Sequence, residues 1–175
     1  MVVLENSYYD QSMKFKLSAV GGTFSLLHKG HETLLNLAFA ISREVIIGIT
    51  SDYYVNKHPK THPIKDYEDR LREVYRFLKE NKLLGRSTLL PLVDELGPLR
   101  DMKDVQCVIV TTETYSRVKK VNSLRKKLGL DKLSIVILGL ILAEDGKPIS
   151  STRIIRGEID STGKVVKSLT VNKHI

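Results

Sequence analysis

Gly21-Gly22-Thr23-Phe24-Ser25-Leu26-Leu27-His28-Lys29-Gly30-His31 lies near the N-terminus and decides how the rest of the chain reads. Ahead of it Phe15, Leu17 and Ala19 alternate with Lys14, Lys16 and Ser18, the period of a half-buried strand. Behind it Leu34, Leu35, Leu37 and Ala38 recur at helical spacing. A glycine-rich turn thus stands where a strand hands over to a helix, with His28 and His31 in the first helical turn. Free N–H groups at a helix start attract anions, and glycines let a phosphate approach the backbone. Residues three apart share a helix face, so both imidazoles can address one guest. The expected guest is the phosphate chain of a nucleotide.

Working outward, residues 44–50 form a nearly continuous apolar run, typical of a strand buried on both faces. A polar stretch over 51–65 follows, then a helix over 66–80 whose Leu71, Val74, Tyr75 and Leu78 lie on one face. Residues 87–90 give a short strand closed by Pro91, and 94–98 a loop. A strand over 105–110, a basic helix over 115–128 ended by Gly129, a strand over 133–142 and a short helix near Ser151 complete the pattern. Alternating strands and helices predict an α/β fold, a Rossmann-like parallel sheet with right-handed crossovers and helices on both faces. The pattern reads as one domain over 1–175, with 1–13 an N-terminal extension and about 158–175 a C-terminal tail. In such a sheet ligands bind beyond the carboxyl ends of the strands. The loops after Thr50, Pro91, Val110 and Leu142 should therefore share a rim with the opening turn.

A net charge of +8 and a pI near 9.5 favour anionic partners without choosing among them. The single cysteine, Cys107, sits in an apolar run, so a packed and inert thiol is expected and no intrachain disulfide can form. No apolar run approaches the ~20 residues that span a bilayer. The first residues carry acids and no basic leader region, so the expected location is cytoplasmic, with no membrane partner.

Near the C-terminus, Lys147-Pro148-Ile149-Ser150-Ser151-Thr152-Arg153-Ile154 places three hydroxyl residues ahead of a helical pattern. Alone this is an ordinary N-cap. Beside the first site it is the second jaw of a phosphate clamp, and Arg153 in the first helical turn fits an anion nearby. Two histidines three apart can also hold zinc, but no cysteine or acidic cluster at ligand spacing accompanies them, so no protein-bound metal is expected.

These two motifs together resemble the HxGH nucleotidyltransferase superfamily, and within it the phosphopantetheine adenylyltransferases of the archaeal and eukaryotic type. Gly48-Ile49-Thr50-Ser51-Asp52, Tyr67-Glu68-Asp69-Arg70, Asp94 to Pro98, Thr112-Glu113-Thr114, Asn122 and Arg125 also fit, over roughly residues 15–157. Ser25, where the family often has Asp, and Thr111-Thr112-Glu113-Thr114, where Ser-Glu-Glu-Thr is expected, depart from it.

The resemblance implies a nucleotidyltransferase fold and a coenzyme A biosynthetic enzyme that moves AMP from ATP, with Mg²⁺, onto 4′-phosphopantetheine. It implies that His31 and His28 act at the phosphates, and that Gly22, Thr23, Phe24 and Gly30 line the nucleotide loop. Ser150, Ser151, Thr152 and Arg153 would hold the β- and γ-phosphates, and Thr112 and Glu113 would lie by the adenine. Thr23 would reach the acceptor phosphate, and a lysine after Thr50, either Lys57 or Lys60, would bridge acceptor and α-phosphate. Arg70 would either touch the acceptor phosphate or pair with Glu73 or another acid on its helix. The alternatives are another transferase of the superfamily, acting on glycerol phosphate, phosphocholine or nicotinamide mononucleotide, or a nucleotide- or RNA-binding module without catalysis. No aromatic stripe for base stacking is evident, so nucleic acid is not expected as a partner. The sequence leaves the oligomeric state open.

Overall fold

The computed structural model describes residues 13–59 and 62–166. Strands β1 (Phe15–Gly22), β2 (Ser42–Thr50), β3 (Ser87–Leu92), β4 (Cys107–Thr111) and β5 (Ser134–Leu138) form one sheet in the order β3-β2-β1-β4-β5. Every neighbouring pair is parallel. Helices α1 (Lys29–Ile41), α2 (Asp52–Lys57), α3 (Tyr67–Glu80), α4 (Tyr115–Val118), α5 (Val121–Lys127) and α6 (Ser151–Ile155) punctuate the strands.

The alternation of side chains along each strand sorts the core into two layers. Val20, Val45, Ile47, Ile49, Cys107 and Ile109 face α1 and α3, where Leu35, Ala38, Val74 and Leu78 are buried against them. Ala19, Ile46, Val108 and Val110 face the other way, against Val118 of α4 and Val121 of α5. A third, smaller cluster of Ala143, Ile149 and Ile159 supports the second motif. Cys107 is fully buried, and burial pushes its thiol up to about 11, so it is packing and not chemistry.

Several local expectations change. The strand expected to close before Pro91 runs through it to Leu92, which an edge strand allows. The strand expected over 133–142 stops at Leu138 because its one partner, β4, ends opposite at Thr111. Gly139, Leu140 and Ile141 then leave the sheet to line the central cavity. The helix expected over 115–128 is broken at Lys120, whose φ of −91° and ψ of −6° flatten the turn, with Ser123 N–H bonding to the Lys120 carbonyl. Residues 51–65 contain α2, which Ser51 caps by accepting from the Tyr54 N–H at 3.2 Å. Ser-Asp at a helix start was a legible signal for it.

Candidate active site

A cavity of about 330 Å³ opens at the carboxyl ends of the strands, between the ends of β1 and β4 where the strand order reverses. Both sequence motifs line it.

The opening loop is shaped by two conformational constraints. Phe24 has φ of +49°, a left-handed conformation that costs a non-glycine residue free energy and persists only when its surroundings enforce it. Its buried ring folds back over Gly22, where an added Cβ would meet the ring at 3.1 Å, and lies 5.0 Å from the His31 ring. Gly30 leaves room in a similar way: a Cβ there would press on the His28 imidazole at 3.1 Å. These glycines make room for rings of the cavity wall.

His28 is the N-cap of α1, and its Nδ1 accepts from the Gly30 N–H at 3.2 Å. The Lys29 N–H donates to the Ser161 carbonyl, so part of the helix start is already engaged by the chain itself. His28 and His31 stack with ring centroids 3.9 Å apart. The shared face expected from their spacing is thus realised, as a stacked pair. Burial pushes His28 down to about 4. Burial first, and His28 second, push His31 down to about 3, with the Leu26 carbonyl opposing them. Both rings are therefore neutral at pH 7, and the His31 Nδ1 is buried without a well-formed hydrogen bond.

The sign of the pH effect follows from these values. In the unfolded chain both imidazoles protonate below about pH 6.5, whereas in the folded chain they resist until about 3 to 4. The ligand-free protein is expected to lose stability as pH falls from about 6.5 towards 4, with a shallower loss in His28→Asn. Urea denaturation across that pH range measures it, and equal slopes in the two proteins would contradict it.

Across the cavity, Ser150 caps α6, accepting from the Arg153 N–H at 3.4 Å. Ser151 is buried and donates its hydroxyl to the Leu26 carbonyl at 3.3 Å, which ties the second motif to the first across 125 residues of sequence. Thr152 Oγ1 lies 3.0 Å from Nδ1 of His62. Arg153 points away from the cavity: its guanidinium donates to Asp145, to Glu158 and to the Pro148 carbonyl. It braces the helix start that holds the hydroxyls.

The remaining candidates divide sharply. Arg70 does not line the cavity. Its guanidinium is wholly buried and donates to the carbonyls of Thr50 at 2.7 Å, Thr23 at 2.9 Å and Lys65 at 2.9 Å, and to Asp52 at 2.8 Å. It fixes the ends of β1 and β2 from behind. Glu73, its other expected partner, instead pairs with Lys65 and accepts from the Leu27 N–H. Lys57 lies over the Tyr53 ring, 4.3 Å from its centroid, and donates to the Tyr53 hydroxyl, outside the cavity lining. Lys60 lies outside the described residues. Thr23 and Glu113 line the cavity; Thr112 does not, its neighbours Thr111 and Thr114 taking its place. Asp94 caps its own loop, accepting from the N–H groups of Leu96 and Gly97. Arg125 is buried on the carbonyls of Leu99, Met102 and Asp131.

Among the arginine and histidine side chains that line the cavity, two escaped sequence reasoning. Arg117, on α4, is the one lysine or arginine among the described residues that lines the cavity. His62 lies between the two motifs. Neither belongs to a motif, and only the fold brings them to the site.

Comparison with known proteins bears on the family. The family model for cytidylyltransferase-like proteins matches residues 19–157. The chain is 43% identical over 157 residues to a bifunctional phosphopantetheine adenylyltransferase/NTP phosphatase of Thermoplasma volcanium, covering 89% of this chain and 46% of that protein. It thus spans about half the length of that relative. It is 37% identical to a phosphopantetheine adenylyltransferase of Methanopyrus kandleri, covering 84% of this chain and 92% of the relative. Among solved structures, a protein of unknown function from Archaeoglobus fulgidus superposes with a TM-score of 0.63 at 28% identity, over 71% of this chain and 89% of that one.

Proposed function

This chain belongs to the cytidylyltransferase-like family, grouping within it with the archaeal phosphopantetheine adenylyltransferases, and from that premise we propose that it adenylylates 4′-phosphopantetheine. An oxygen of the acceptor phosphate attacks the α-phosphorus of ATP. The new P–O bond forms as the bond to the bridging α–β oxygen breaks, and pyrophosphate leaves with the electron pair. The products are dephospho-coenzyme A and pyrophosphate.

One structural observation carries the reading: motifs 125 residues apart meet in one cavity, joined by the Ser151–Leu26 hydrogen bond. The nucleophile is already ionised at neutral pH, so no strong base is needed. The protein must align the reactants and compensate charge around the α-phosphorus. His31 and His28 stand at the opening loop for that task. In this reading Ser150, Ser151 and Thr152 hold the departing phosphates at the other jaw and Thr23 takes the acceptor phosphate, with Arg117, which lines a small pocket together with Thr23, as the nearby cation. Mg²⁺ would enter with ATP, held mostly by the triphosphate and water, because it rarely needs a dedicated protein cage.

A substrate panel tests the assignment. Purified protein with Mg²⁺ is given ATP or CTP against 4′-phosphopantetheine, glycerol phosphate and nicotinamide mononucleotide, with pyrophosphate release as the readout. ATP with 4′-phosphopantetheine is expected to be the best pair by at least about tenfold in kcat/KM, a discrimination well within what polar contacts supply. A better rate with any other pair overturns it.

A further inference from the structure

His62 sits outside both motifs, yet it touches both jaws. Its Nδ1 lies 3.0 Å from Thr152 Oγ1 and its Nε2 3.5 Å from Ser25 Oγ, and all three side chains line the cavity. Ser25 closes the opening loop and is buried, and Thr152 stands at the start of α6. The imidazole comes from neither element, but from the segment that leads into α3. A neutral imidazole has one donor and one acceptor nitrogen. Both can be used at once between two hydroxyls, each of which can donate or accept. The ring is thus built into a three-residue bridge across the site.

We propose that His62 is a positioning residue for the triphosphate, one that orients the Thr152 hydroxyl and sets the spacing of the two jaws. The proposal rests on the nucleotidyltransferase reading above and adds to it a residue outside both motifs. A free threonine hydroxyl samples its rotamers and turns with solvent, whereas one held by His62 presents its remaining capacity in a fixed direction. Ordering that group before the ligand arrives lowers the entropy lost on binding. The benefit falls on the nucleotide, because Thr152 belongs to the jaw assigned to the phosphates. The acceptor gains nothing directly.

The test is a double-mutant cycle read by calorimetric titration with MgATP in the absence of acceptor, on His62→Ala, Thr152→Ala and the double variant. His62→Ala is expected to weaken MgATP about tenfold, while KM for 4′-phosphopantetheine stays within twofold of wild type. In the Thr152→Ala background the same change is expected to have little further effect, because the bridge is already broken. His62→Asn, whose amide can occupy the Nδ1 position, is expected to recover most of the affinity. His62→Gln, which reaches only towards Ser25, is expected to recover less. Thermal unfolding of each ligand-free variant checks that the fold is intact.

Unchanged MgATP affinity in His62→Ala, or fully additive losses in the cycle, overturns the proposal. A wild-type protein that binds MgATP but does not use 4′-phosphopantetheine overturns the acceptor assignment alone, and the titrations still decide His62. A wild-type protein that fails to bind MgATP overturns both.

Discussion

His31→Ala is expected to lower kcat by about 10² to 10³ while weakening MgATP binding only a few-fold, the range seen when one donor to a developing oxyanion is removed. The ring is placed for a contact that strengthens as the reaction proceeds. It is held from one side by the stacked His28 ring at 3.9 Å and from another by Phe24 at 5.0 Å, so its direction is set before substrate arrives. Burial keeps it neutral, with a pKa near 3. An anion beside it favours the protonated form, and the gain is largest where charge is most concentrated, at the α-phosphate in the transition state. Single-turnover rates with saturating MgATP, set beside calorimetric affinities, measure the two effects separately. Comparable losses in both would mean that His31 binds the ground state and contributes nothing specific to the transition state.

Arg70→Met is expected to cost about 3 to 5 kcal/mol of folding stability, because it strands several backbone carbonyls at about 1 to 3 kcal/mol for each that stays buried and unsatisfied. The guanidinium is fully buried and serves three backbone carbonyls besides Asp52. Its removal leaves the carbonyls of Thr23 and Thr50, at the mouth of the cavity, without that donor. A carbonyl left unsatisfied in a buried place loses its solvation with no return. Urea denaturation monitored by circular dichroism gives the loss directly. A variant with wild-type stability and only a raised acceptor KM would instead restore Arg70 to the acceptor site. Arg70→Lys should fall between, since one ammonium cannot span the four directions of the fork.

The two largest effects expected of this protein thus come from residues of the same apparent kind, polar side chains in the first turn of a helix. One faces the cavity and the other the wall behind it. Sequence pattern ranks them alike, because a helix-borne arginine near the start of α3 has the same spacing whether it turns inwards or outwards. Lys57 and Arg153 show the same limit. Arg153 was expected at the phosphates and Lys57 was one of two lysines that could bridge them, and each finds a nearer partner: the Tyr53 ring for Lys57, and Asp145 with Glu158 for Arg153. Long cationic side chains reach several neighbours, and the choice among them is made by packing that no local pattern encodes.

The sequence by itself determined the sheet, its parallel sense and the position of the site. Apolar runs of strand length separated by amphipathic helices leave few arrangements that bury both faces, and right-handed crossovers reduce them further. The glycine-rich turn and the Ser-Ser-Thr cap were legible for the same reason: backbone constraints confine such turns and caps to a few residue types, so residue identity reports geometry. Only the tertiary structure decided which charged and imidazole side chains meet at the cavity. His62 and Arg117 arrive there from segments with no motif of their own, while Arg70 and Arg153 turn away. Those outcomes depend on distances between elements remote in sequence, and such distances exist only once the sheet has brought the strand ends together.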